Sequence, residues 1–425
     1  MTNSKLPKTI PHLRRYTDGS TFVFGEPVNL VGDLRDAFGR VRVSDTENII
    51  SFQQNIDDAE YLINTETSGS GISTYSKARS SSLFTVSSSD SYVIRQTYER
   101  TPYIPGNSLV LDFSFANFEN EENVVKRVGY FTAGFDTPFS SSFDGLFLES
   151  NPEDGYTLNI WNSGSVVQRV PQAEWNVDPL DGNGISGFSA SFENNQILSI
   201  DLQALYVGRV RWHFFYEGIK RCVHESDFTN VRQGAYIQSA NKPLRWELRQ
   251  TGPGSGSFEQ ICAASQLEGK ITGVTKDISV NFGSTELTLS TADRRYLLAA
   301  VRASRGNEDV RILDTALNFL STTNDIFLYE VILNPTFTNG TPVWVEVPYT
   351  KGEAALGDAT ILVEGGITMQ SGYFLSDVEV RANFGYDAVR FGTAIDGTRD
   401  IITIAITPLS ANSKLLYAAT SKILQ

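Results

Sequence analysis

The sequence is short of sulfur and imidazole. Among 425 residues there are two cysteines, two methionines and three histidines. Cys222 and Cys262 are too few for a disulfide framework and have no neighbouring thiols for a zinc site, so a reduced, buried pair is expected over a bridge between adjacent strands. His12, His213 and His224 form no close metal-binding pair, and no G-x-S-x-G elbow occurs, so neither a zinc centre nor a Ser-His-Asp hydrolase is indicated. No stretch approaches the roughly 18 apolar residues of a membrane span; Leu297–Val301 is one of the longer runs. The first residues are basic (Lys5, Lys8, Arg14, Arg15), yet no apolar segment of about 7–15 residues follows, so an exported precursor is not expected. Positive charge is scarce overall: 35 basic against 49 acidic residues leave −14, which opposes broad contact with nucleic-acid phosphates or anionic lipid. A repeat of fixed period is also missing, which weighs against a β-helix or propeller.

What the chain does have is aromatics, 26 Phe and 17 Tyr, set among Ser, Thr, Gly and Asn, a composition that suits strands and turns. The clearest period lies between Gln196 and Glu247. Leu198, Ile200 and Leu202 alternate with polar residues, and Val210, Trp212, Phe214 and Tyr216 do the same, which predicts half-buried strands. Glu217-Gly218 then suits a hairpin turn. A two-residue turn sets Phe214 opposite Arg221. A bulged turn sets Phe214 opposite Cys222 and Trp212 opposite His224, and the second register is favoured because cysteine is buried more often than arginine.

Residues 1–30 carry no sustained period and read as an extended N-terminal arm. Further strands follow at Leu83–Val86, Tyr92–Tyr98, Leu109–Phe115 and Arg127–Thr132, with closely spaced turns and an acidic loop at Glu119, Glu121 and Glu122. This pattern predicts an all-β jelly-roll sandwich over residues 31–270, closed by a strand at Phe258–Ala263. A second, smaller β domain is predicted over 271–425, where alternation resumes at Leu287, Phe327–Leu333, Val343–Val347 and Ile402–Ile406. Asn339-Gly340 signals a hairpin between two of these runs. Asp309–Leu320 has helical spacing, although Arg311–Phe319 also reads as a strand.

Formal motifs are outweighed by their surroundings. Gly182, Gly184 and Gly187 spell G-x-G-x-x-G without the preceding apolar strand or following helix of a dinucleotide site. Gly352 and Gly357 have phosphate-loop spacing, but Asp358 stands where lysine is needed. Asp178, Asp181 and Asn183 have oxygens suited to calcium, and a plain Asx-rich turn is the preferred reading. Paired carboxylates for glycoside hydrolysis are not singled out by spacing. No cofactor and no metal site is expected. Trp161, Phe215 and Trp344 are the aromatics that could stack on sugar rings.

Several pieces, taken in order, carry a resemblance. They are DAFGRVRVS at Asp36–Ser44, VIRQT at Val93–Thr97, Tyr103, Pro105, Gly106 and Ser108, and RVGYF at Arg127–Phe131. Trp175-Asn176, Pro179–Gly182, VGRVRW at Val207–Trp212, Leu244–Glu247, QIC at Gln260–Cys262 and LNPT at Leu333–Thr336 complete the series. With them the chain resembles a family of tailed-bacteriophage virion proteins over nearly all its length after residue 30. The resemblance implies a concanavalin-type jelly roll in the middle region, no catalytic residues, and location in the virion. The expected role is a non-enzymatic structural component of the head, neck or tail, assembled with other virion proteins, as a homotrimer. The turn Asp36, Ala37, Phe38, Gly39 and Arg40 is the expected subunit-attachment point. The alternative is a virion lectin that recognises host surface glycan through Trp161, Phe215 or Trp344.

Overall fold

The computed structural model describes residues 46–424, apart from 103, 135–141, 204, 239–240, 270–274, 282–285, 305–310, 348–350, 376–377 and 384–391. The N-terminal arm and the attachment turn Asp36–Arg40 lie outside the described residues. The protein is all-β: a jelly-roll sandwich of concanavalin type followed by a second, smaller β-sandwich.

The first sandwich has two antiparallel sheets. Sheet 1 runs Ile219–Asp227, Arg209–Tyr216, Gln196–Gln203, Ser108–Ala116, Gly256–Glu268, Ser81–Val86 and Ile72–Ser76, and Thr46–Phe52 also pairs with the long strand Gly256–Glu268. Sheet 2 runs Ser165–Pro171, Gly155–Asn162, Asp144–Asn151, Val124–Thr132, Leu244–Gln250, Tyr92–Thr97 and Ile63–Ser68. The chain crosses between the sheets after Thr46–Phe52, Ile63–Ser68, Ser81–Val86, Tyr92–Thr97, Ser108–Ala116, Ser165–Pro171, Ile219–Asp227 and Leu244–Gln250, which is the nested course of a jelly roll. Alternation does the rest: Leu198, Ile200, Leu202, Val210, Trp212 and Phe214 from sheet 1 meet Val128, Tyr130, Leu146, Leu148, Trp246 and Leu248 from sheet 2 in one core. Trp246 sits at its centre with Phe113 and Phe52 at ring-centroid distances of 5.7 and 5.8 Å.

The second sandwich packs a sheet ordered Thr275–Asn281, Ser413–Leu424, Arg311–Ser321 and Val378–Asn383 onto one ordered Thr336–Thr338, Leu362–Glu364, Tyr296–Ala303, Ile402–Pro408, Phe327–Leu333 and Ile367–Phe374. Phe319, Leu415 and Tyr417 of the first meet Leu298, Phe327 and Ile404 of the second.

Three local expectations change. Next to the turn, Phe214 faces Arg221 and not Cys222, because Glu217 (φ 54°) and Gly218 (φ 74°) make a two-residue turn of the primed kind. Arg221 is accommodated there by lying over the Tyr216 ring, 4.6 Å from its centroid. A bulge then inserts Val223 into the core and restores Trp212 opposite His224, so half of the favoured register holds. Arg311–Ser321 is a strand, since both its edges are hydrogen-bonded to neighbours. Finally, Asn339-Gly340 does not join a hairpin: Thr336–Thr338 pairs with Leu362–Glu364, and Trp344–Val347 with Gly352–Leu356. Asn339 does adopt positive φ (60°), but the turn passes the chain from one partner strand to another.

Candidate functional site

The outer face of sheet 2, away from the core, is where charged and aromatic side chains converge. Its parity is set by the core residues. Because Leu146, Leu148, Val128, Tyr130, Leu244, Trp246 and Leu248 point inward, Arg127, Gly129, Phe131, Gly145, Phe147, Glu149, Arg245 and Glu247 point out.

A row of ion pairs crosses this face. Arg169 Nη2 donates to Glu149 Oε1 (2.9 Å), and Arg127 Nε donates to Glu149 Oε2 (2.6 Å). Arg127 Nη1 reaches Glu247 Oε2 (3.0 Å), Arg245 Nε donates to Glu247 Oε1 (2.6 Å), and Arg245 Nη1 to Gln96 Oε1 (2.7 Å). All four carboxylate oxygens thus accept from guanidinium groups. Glu247 and Arg245 are buried, and Arg169 at the far end is one-third exposed and also meets Asp154 at 2.6 Å. Burial opposes the charge on Arg127, but Glu149 and Glu247 outweigh it and hold the guanidinium above its ordinary pKa.

Beside this ladder the strands interlock by size. Gly129 faces Phe147 and Phe131 faces Gly145, so each ring lies across the neighbouring glycine, and the two rings meet at a tilt of 41° with centroids 4.7 Å apart. Phe143 joins them, with the Arg127 guanidinium 4.7 Å from its centroid, and Trp161 packs edge-on to Phe143 at 5.4 Å. A Cβ on Gly129 would overlap the Leu146 carbonyl oxygen and come within 2.6 Å of Phe147 Cα, which is why this position needs glycine.

The three proposed sugar-stacking aromatics are not brought together. Trp161 is half-buried on this face, with Asn159 on the same side of its strand. Phe215 projects from the outer face of sheet 1, opposite in parity to the core residues Phe214 and Tyr216. Trp344 lies in the second sandwich, where the Arg302 guanidinium already covers its ring at 3.9 Å. The ladder itself was not anticipated from the sequence. Its only advance signal is that three of the quoted motif pieces, VIRQT, RVGYF and Leu244–Glu247, supply Gln96, Arg127, Arg245 and Glu247 on three adjacent strands.

Cys222 and Cys262 are free. Their strands are four places apart in sheet 1, about 19 Å at the usual strand spacing, beyond the reach of a disulfide. Asp178 organises its loop through backbone donors: Leu180 N (3.1 Å) and Ser186 N (3.1 Å) both bond to its carboxylate, and Asp181 caps Asn183 N (2.8 Å). This is the Asx-rich turn. Among the described residues no three His, Cys, Asp or Glu side chains converge as metal ligands.

His224 is buried, and its Nδ1 accepts from Asn176 N (3.2 Å) while Gln168 Nε2 lies 3.5 Å from Nε2. Burial depresses its pKa from 6.5 to about 4. The shift is downward, so the neutral ring stabilises the fold above the unfolded imidazole pKa, and that contribution is lost as pH falls from 6.5 toward 4. Denaturation at pH 7.5 and 4.5 is expected to show wild type losing about 2 kcal/mol more than His224→Gln, after allowance for solvent screening at the sheet edge. Equal losses would refute this role.

No family model matches the chain, and no curated protein matches it. Among solved structures, a legume lectin-like domain from Entamoeba histolytica is similar at 11% identity over 52% of this chain and 97% of that one, with a TM-score of 0.34. A Bacillus licheniformis β-glucanase is similar at 10% identity over 52% and 98%, TM-score 0.34. The exoplasmic/lumenal domain of VIP36, in a form bound to Ca2+ and Man3GlcNAc, is similar at 10% identity over 54% and 92%, TM-score 0.34.

Proposed function

We propose that the chain is a non-enzymatic structural component of a tailed-phage virion, with other virion proteins and further copies of itself, as a trimer, for partners. What supports this is the ordered motif series and where its pieces go: residues distant in sequence build one internally satisfied ladder across the middle of a sheet. A buried ladder whose carboxylate oxygens are all taken fixes strand positions and holds a shape, which is what a packed particle asks of its subunits. The net charge of −14 keeps a crowded assembly soluble. Mass spectrometry of density-banded, salt-washed particles is the test. The chain is expected at stoichiometric abundance, and its loss on washing would refute the reading.

A second reading, a glycan-binding lectin of the virion, is favoured by Trp161. Its partly exposed ring lies beside the aromatic cluster, with the one-third-exposed Arg169 on the neighbouring strand of the same face. On a glycan array the wild-type chain is then expected to bind, and Trp161→Ala to weaken binding at least tenfold, about 1.4 kcal/mol. Binding unchanged by Trp161→Ala, or none at all, removes this reading while leaving the first intact.

A further inference from the structure

The first sandwich is joined to the second by the chain that leaves strand Gly256–Glu268 of sheet 1. A second connection touches the opposite layer. Residues 392–400 form a small hairpin whose arms are bridged at Thr393 and Arg399. Its tip is shaped by Asp396, which accepts from Thr398 N (2.8 Å) and Thr398 Oγ1 (3.0 Å), and by Gly397 at φ 82°. Its base is clamped: Gly392 N donates to Asp400 Oδ2 (2.7 Å), Asn334 Nδ2 to Asp400 Oδ1 (2.6 Å), and Ile401 N to Asn334 Oδ1 (2.7 Å).

This preformed hairpin sits on sheet 2. Gly392 makes an antiparallel bridge to Glu99, and Ile395 N donates to Asn64 Oδ1 at 2.8 Å. Thr393 O receives a long 3.5 Å contact from Gln96 Nε2, the last member of the ladder. Thr393 and Ile395 are 1% and 2% exposed, so the hairpin is seated and not merely adjacent. The fit at Gly392 is tight, because a Cβ there would overlap the carbonyl oxygen of Tyr98.

We infer that hairpin 392–400 is an interdomain lock. The covalent link leaves from sheet 1 and the hairpin grips sheet 2, so both layers of the first sandwich are tied to the second, and rotation about a single linker is blocked. Unseating the hairpin would free the two sandwiches to reorient without unfolding either, since no residue of 392–400 belongs to either core cluster. The lock is therefore a device that sets one domain orientation, and it stands independently of the proposed function.

The test uses the full chain with Gly392→Ala, and Asn64→Ala as a variant that removes a hydrogen bond without a clash. Small-angle scattering is expected to show a larger maximum dimension for Gly392→Ala at unchanged circular dichroism. Limited proteolysis within residues 392–400 is expected to accelerate on the order of tenfold for Gly392→Ala and severalfold for Asn64→Ala, as the open form becomes populated. Wild-type scattering and cleavage rates in both variants would overturn the lock. So would a loss of β-sheet signal in Asn64→Ala, because it would place the contact within a single folding unit.

Discussion

Replacing Arg127 by alanine is expected to lower the stability of the first sandwich by about 3–5 kcal/mol, one of the two largest effects anticipated for any single substitution here. The reason lies in what is left behind. Arg127 donates to Glu149 and Glu247 from one guanidinium, and both carboxylates are almost fully buried. Without it two negative charges stand on the same face, each holding one remaining arginine, and the Phe143 ring loses its cationic cover. Arg127→Lys should recover only part of the loss, because an ammonium cannot hold both carboxylates in the forked geometry of a guanidinium. Thermal denaturation is a direct check, with a fall in Tm of about 10 °C expected for a domain of this size. A shift within experimental error would show that the ladder is ornamental to stability.

The second large effect is expected at Gly129. Gly129→Val should cost about 3 kcal/mol through overpacking. The Cβ alone already meets the backbone of the adjacent strand at Leu146 and Phe147, before the Phe147 ring comes into play, so Phe147→Ala should give no rescue. Chemical denaturation of the two single variants and the double variant measures this. Rescue in the double variant would mean that the ring, and not the strand, sets the spacing.

Much of the architecture was readable from period and turn chemistry, because both are local. Val210, Trp212, Phe214 and Tyr216 announce their face by alternation, and Glu217-Gly218 announces its turn through the conformations those residues adopt. Register was harder, since it depends on pairwise exceptions. Arginine is rarely buried, yet Arg221 faces Phe214 because Tyr216 offers it a ring. The ladder was out of reach for a different reason. Leu244–Gln250 lies between Val124–Thr132 and Tyr92–Thr97, strands separated from it by most of the domain, and no local signal tells Glu247 that Arg127 will be its neighbour. Trp161, Phe215 and Trp344 look alike as isolated letters, but the fold puts them on three separate surfaces and leaves Trp344 under Arg302.

The interlock of Arg127–Phe131 with Gly145–Glu149 also lets the hairpin proofread its own alignment. In the native pairing arginine meets glutamate and each phenylalanine meets a glycine. A two-residue slip in one direction would leave Gly129 against Gly145 and Arg127 against Phe147; in the other it would set Phe131 against Phe147 and Glu149 against Gly129. Both slips keep the inward face apolar, so the hydrophobic pattern alone would tolerate them. The outward face rejects both, and misaligned intermediates of this strand pair should therefore be short-lived.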